Sequence, residues 1–144
     1  MSAPRTPEQL QALIGDVIAT PLHQFLGLRV LGVEAGEARL GLFAGAHALT
    51  SRGGVHGGML STVLDVAAGV AAFSLLPPTQ TAATVDFHVQ VMRAPAAQRE
   101  IELLARVVKP GRTFFFCEAQ ALSEGRLCAS ARITKAVLSL ASGQ

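Results

Sequence analysis

The chain has 144 residues, half of them hydrophobic, only 15% charged, with a net charge of +2. That length and composition build one core and exclude a disordered segment or a second domain. The small, scattered positive charge and the lack of Trp and Tyr give no basis for nucleic-acid binding, and so little charge fits a buried interface between copies.

A single domain over residues 1–144 is expected, with loose tails at 1–6 and 141–144. Thr6-Pro7-Glu8 opens a short helix, with Thr6 as N-cap and Leu10, Leu13, Ile14 and Val17 as its apolar face, ending near Thr20-Pro21. Pro21 to Gly27 reads as an apolar connector in which His23 packs or faces solvent. Leu28–Glu34 and Glu37–Phe43 read as strands flanking a hairpin turn at Ala35-Gly36. A loop from Ala44 to Gly54 carries His47, Thr50, Ser51 and Arg52.

The stretch Gly53-Gly54-Val55-His56-Gly57-Gly58 and the apolar run Met59 to Leu76 organise the rest. The run is too long and too rich in Ala and Leu for a strand, and it stops at Pro77-Pro78, so it reads as one buried helix entered through a glycine loop. It is marginally long enough to cross a membrane, but Ser61, Thr62, Asp65 and Ser74 exclude that. Asp65 is the one ionisable residue in it, and a carboxylate there needs a partner or a use. Its helical neighbours Gly58, Ser61, Thr62, Ala68, Gly69 and Ala72 form a small, polar stripe that leaves room for an approaching group. Desolvation should favour the protonated form of Asp65 and strengthen it as a base near neutrality, with activity falling as pH drops. Gly57 and Gly58 offer free backbone N–H groups at the positive end of the helix, where an oxyanion would be stabilised. Eight residues of helix separate Gly57 from Asp65 by about 12 Å, while one carbonyl carbon needs its oxyanion donor and its attacking group each within about 3 Å. The two functions are therefore expected to come from two copies of the chain, with helices side by side and opposed.

Beyond the prolines, Thr81 to Met92 alternates, with Thr81, Ala83, Val85, Phe87, Val89 and Val91 facing one way and Gln80, Thr84, Asp86, His88 and Gln90 the other. This strand is expected within the sheet, one face on the helix. Glu100–Val108, Thr113–Leu122 and Leu127–Leu140 read as a three-strand meander, turning at Lys109-Pro110-Gly111-Arg112 and Ser123-Glu124-Gly125-Arg126. Cys117 and Cys128 fall inside these strands without metal spacing and read as reduced core thiols of a cytoplasmic protein; the N-terminus has no signal-type apolar stretch. Phe114-Phe115-Phe116 reads as core and interface, and His47 and His88 as non-catalytic. No metal constellation, nucleophilic Ser motif, dinucleotide pattern or P-loop is present. The order of elements specifies an α+β domain, one sheet wrapped around one helix.

From about Leu26 onward the chain resembles the hotdog-fold acyl-CoA thioesterases, specifically the branch similar to phenylacetate-pathway thioesterases. The resemblance is carried by Gly54-Val55-His56-Gly57-Gly58, by Asp65, by Thr84-Val85-Asp86-Phe87, by Met92-Arg93-Ala94-Pro95-Ala96 and by Gly111-Arg112. It implies a curved antiparallel sheet around the long helix, two units joined into a continuous sheet as a homodimer, and two dimers stacked as a tetramer. It implies hydrolysis of an acyl-CoA thioester with no cofactor, coenzyme A being part of the substrate. The Gly57 N–H would polarise the carbonyl and Asp65 of the partner chain would be general base or nucleophile. His56 would hold the loop and orient the carbonyl, and Thr84 would position water or the acid. Thr50, Gly58 and Thr62 are candidate substrate contacts, and Arg93, Lys109 and Arg112 are candidates for the phosphates of coenzyme A. The chain departs from the family at Thr50, where relatives carry Asn six residues before the histidine; a hydroxyl lacks the reach and the two donors of an amide. Two other readings compete: a hotdog hydratase or dehydratase, disfavoured by a histidine beside the oxyanion glycine, and a non-catalytic acyl-CoA-binding module.

Overall fold

A computed structural model describes residues 2–141. Met1 and residues 142–144, and the expectation of loose tails there, lie outside the described residues. Helix α1 (Pro7–Ala19) starts where the sequence places it: the Thr6 side chain accepts from the Gln9 N–H and the Gln9 side chain returns the bond to Thr6. The segment before it is not loose at Arg5. Its guanidinium donates to the carbonyls of Phe73, Leu76 and Gln80 at 3.3, 2.9 and 2.9 Å, tying this segment to the stretch that follows the long helix. The stretch Pro21–Leu26, expected as a connector, is a second short helix, α2. Pro21 presets its first position and Gly27, at φ 71°, stops it in the left-handed conformation.

Strands β1 (Arg29–Glu34) and β2 (Glu37–Phe43) form the expected hairpin, and a 3-10 turn at Ala46–Ala48 leads towards the glycine loop. Helix α3 (Gly57–Phe73) is two residues longer at its start and three shorter at its end than the apolar run suggests. Ser74 closes it: its hydroxyl donates to the Ala71 carbonyl at 2.6 Å and accepts from the Gly36 N–H at 2.8 Å, which ties the β1–β2 turn to the helix end. Strands β3 (Gln80–Val91), β4 (Glu100–Lys109), β5 (Phe114–Ser123) and β6 (Arg126–Ser139) complete one antiparallel sheet in the order β1-β2-β4-β5-β6-β3. Gly111 is required at the β4–β5 connection, because a Cβ there would lie 2.7 Å from the Phe114 carbonyl oxygen.

All six strands touch α3, so the sheet wraps the helix as expected of a hotdog chain. The core is aliphatic: Leu60, Val63 and Leu64 of α3 pack with Leu40, Leu42, Ile101 and Leu103, all fully buried. Cys117 and Cys128 are free and buried. No helix among the described residues is long and apolar enough to cross a membrane.

Strand β3 lies in the sheet with one face on the helix, as expected, and forms its edge, paired with β6 alone. One expectation is corrected: β3 does not keep one alternation. Thr84 pairs with Lys135 and Asp86 with Thr134, leaving Val85 as an extra residue in a bulge. Residues before the bulge therefore change face, and Thr84 turns to the helix together with Val89, not to the outside with Asp86 and His88. Helix α3 is buried over most of its circumference, as expected, and its more open side is the small, polar stripe: Gly57 and Gly58 are exposed, and Ser61, Thr62 and Asp65 half-buried.

Candidate active site

The first turn of α3 is built by His56. As N-cap it accepts the Gly58 N–H on its Nδ1 at 3.1 Å, while its own N–H donates to the Ala48 carbonyl at 2.8 Å, which anchors the helix to the 3-10 turn. The expectation of two free donors is corrected here, since the Gly58 N–H is occupied. The Gly57 N–H has no partner among the described residues, and a Cβ built on Gly57 would meet nothing within 4 Å. One exposed amide at the positive end of a 17-residue helix thus faces open space.

Two turns further along α3 is Asp65. Its Oδ1 accepts from Thr84 Oγ1 at 2.6 Å and from Lys135 Nζ at 2.8 Å, and Lys135 also donates to Thr84 Oγ1 at 2.7 Å and to the Asp65 carbonyl at 3.2 Å. The Asp65 side chain is 31% exposed and that of Lys135 only 5%. Among the described residues Oδ2 accepts no hydrogen bond. The carboxylate is therefore not simply desolvated, as the sequence alone suggests, but lies in direct contact with a buried ammonium. Cys117 of β5 faces the same network, and burial pushes its thiol up to about 11, with Lys135 opposing and Asp65 reinforcing the shift.

Lys135 was not among the candidates read from the sequence. Two signals could have found it: it interrupts the inward apolar positions Ile133 and Val137 of β6, and a buried carboxylate on α3 needs a cation. The structure brings Asp65, Thr84 and Lys135 together in one protomer and puts Gly57, His56 and Gly58 at the other end of the same helix. Thr62 donates to the Gly58 carbonyl of its own helix at 3.1 Å. Thr50 closes the loop before the helix, its N–H on the Gly54 carbonyl at 2.7 Å and its carbonyl on the Gly53 N–H at 2.9 Å. Arg93 lies just past the Val91–Ala129 end of the sheet, its N–H on the Cys128 carbonyl at 3.1 Å, whereas Lys109 and Arg112 flank the opposite end, where Phe114 pairs with Ala136. These three basic residues do not meet within one protomer. A cleft between Glu34, Glu37, Arg39, Arg106 and Glu118 touches none of the candidate residues.

Comparison with known proteins gives consistent matches. The sequence model described as "Thioesterase superfamily" matches residues 52–130, which include His56, Gly57, Asp65 and Thr84. A Halobacterium salinarum protein with a provisional esterase name is 37% identical over 98 residues, 64% of this chain and 63% of that protein, so the match spans less than two thirds of the relative. Among solved structures, a thioesterase family protein from Silicibacter pomeroyi is 31% identical with a TM-score of 0.78, covering 91% of this chain and 98% of that one. A variant of the phenylacetic acid degradation protein PaaI from Thermus thermophilus is 28% identical with a TM-score of 0.75, covering 81% and 97%.

Proposed function

Because this chain belongs to the thioesterase superfamily, we propose that it hydrolyses an aryl- or fatty-acyl-CoA thioester at a site shared between two copies. One observation carries the reading. A carboxylate with one open oxygen and a free helix-terminal N–H lie on the same helix, eight residues apart, too far to act on one carbonyl from one chain. In an antiparallel pair, Asp65 of one protomer comes opposite Gly57 of its partner. The Gly57 N–H then receives the developing oxyanion. Asp65 either takes a proton from water attacking the carbonyl carbon or attacks that carbon itself, giving an acyl-aspartyl anhydride that water then hydrolyses. In either case the C–S bond breaks, coenzyme A leaves as a thiolate that takes up the proton released from water, and the acid is released.

The shape of the protomer supports pairing. Strand β3 is a 12-residue edge that exposes Val85, Phe87 and Val91, with no lysine or proline to guard it. Such an edge invites a second strand. Two β3 edges joined across a two-fold axis would continue the sheet and set the two α3 helices side by side in opposite directions; a stacked pair of dimers is the larger assembly in this reading. Arg93 of one copy and Lys109 and Arg112, at the other end of the sheet, are candidate contacts for the phosphates of coenzyme A. In this reading the protein works on an acyl-CoA pool of the cytoplasm.

The test is thiol release from a panel of acyl-CoAs by the unaltered protein and by Asp65→Asn. A fall of about 10²–10⁴ with the folded state retained is expected for loss of the base; equal rates would remove Asp65 from the mechanism. The second reading, a non-catalytic acyl-CoA-binding module, is favoured by Thr50 at the family's Asn position, and tight binding without turnover would establish it.

A further inference from the structure

We propose that Lys135 is a positioning residue of this site, holding Asp65 by Oδ1 and so leaving Oδ2 as the single oxygen presented to substrate. This rests on the thioesterase reading for its consequence, though not for its geometry. Lys135 is the one charged side chain in the buried core among the described residues. Its ammonium has three protons and three acceptors: Asp65 Oδ1, Thr84 Oγ1 and the Asp65 backbone carbonyl. Thr84 Oγ1 accepts from Lys135 and donates its single proton to the same Oδ1. Two donors on one carboxylate oxygen oppose rotation of the group, which would otherwise exchange Oδ1 and Oδ2.

Gly69 sits one turn beyond Asp65, and a Cβ there would meet Lys135 Nζ at 3.6 Å, an ordinary van der Waals contact, so the ammonium packs directly against this turn of the helix. The Val85 bulge turns Thr84 inward opposite Lys135. Stability alone does not explain the arrangement, since apolar residues of similar volume often replace a buried ion pair without loss. Nor is another ionisable group close enough to substitute. Toward α3, β1 presents Val30 and Val33, and β2 and β4 present alanine, leucine and isoleucine. Of the other strands, β5 adds only Cys117, a neutral thiol near pH 7, and β3 adds Thr84.

Lys135→Met and Lys135→Arg test the proposal with two readouts. The first is the carbon-13 titration of the Asp65 carboxyl in the resting protein, which needs no turnover and so separates this inference from the thioesterase reading. Lys135→Met removes the cation from the carboxylate and should move that midpoint up, and Lys135→Arg should return it most of the way. The second is the pH profile of kcat/KM for acyl-CoA hydrolysis. Its acid limb should move with the carboxyl, so that the loss of kcat is larger at the acid end of the profile than at pH 9, with KM changed by less than about threefold. Thr84→Val retains the cation and removes one donor; it should shift both readouts the same way by less, and serves if Lys135→Met does not fold. An unmoved carboxyl titration in the folded variants, or a loss of kcat equal at every pH, would overturn the proposal.

Discussion

Lys135 Nζ lies 2.8 Å from Asp65 Oδ1 across seventy residues of sequence, and the two side chains are unequally buried, at 5% and 31% exposure. Removing either partner strands the other, and the cost follows how far the stranded charge can reach water. Asp65→Ala leaves an ammonium with no route to solvent and should destabilise the fold by about 3 kcal/mol. Lys135→Met leaves a carboxylate already partly wet and should cost about 1–2 kcal/mol. Urea denaturation of the two variants gives the comparison; the reverse order would mean that Lys135 reaches water in solution.

Gly57→Ala should separate folding from activity. A methyl there meets no protein atom within 4 Å, so the melting temperature should hold or rise slightly, by an amount matching up to about 1 kcal/mol. The same methyl crowds the one free N–H of the helix mouth, and thiol release should fall tenfold or more. Gly58→Ala behaves differently. Its Cβ would lie 3.2 Å from Nδ1 and Cε1 of His56, tilting the ring away from its cap at a cost of about 1 kcal/mol.

The exposed edge of β3 makes oligomeric state and activity one quantity. Phe87 is 48% exposed in the protomer, and Phe87→Lys puts a charge where a second strand would pack. Sedimentation should show smaller species, with activity falling in step as the shared sites come apart. An inactive Asp65→Asn chain mixed with an inactive Gly57 variant should recover part of the activity after subunit exchange. A fully active monomer, or no recovery on mixing, would contradict a site built from two chains.

Cys117 predicts the alkaline limb of stability. Burial holds its thiol protonated to about 11 against an ordinary value of 9.0. Between those values the unfolded chain has released the proton and the folded chain retains it, so stability is full below pH 9 and falls as pH rises through the window to 11, by on the order of 1–2 kcal/mol. Denaturation of the unaltered protein and Cys117→Ala at pH 8 and pH 10.5 should show a smaller pH-dependent loss in the variant. At pH 8 the native thiol should resist a thiol reagent that labels the unfolded chain within minutes.

The helix and the strands that wrap it were legible because each is a local pattern: an unbroken Ala- and Leu-rich run closed by Pro77-Pro78, and alternating segments cut by turns at Ala35-Gly36 and Glu124-Gly125. The α1 start was legible for the same reason, since a capping box is written within four residues. The incompatibility of Gly57 and Asp65 in one chain also followed from spacing, because helical rise is a property of the backbone and not of the surroundings. Other features depended on elements far apart in sequence. Strand order is one, because alternation is the same on an edge strand as inside a sheet, and only the pairing of β6 with both β5 and β3 leaves β3 at the margin. The bulge at Val85 is another: one residue out of register reverses the face of Thr84, and nothing local to that stretch marks it. Lys135 is the third: the sequence shows only a lysine interrupting the apolar positions Ile133 and Val137, and the fold alone lays its ammonium against the single carboxylate of a helix seventy residues away.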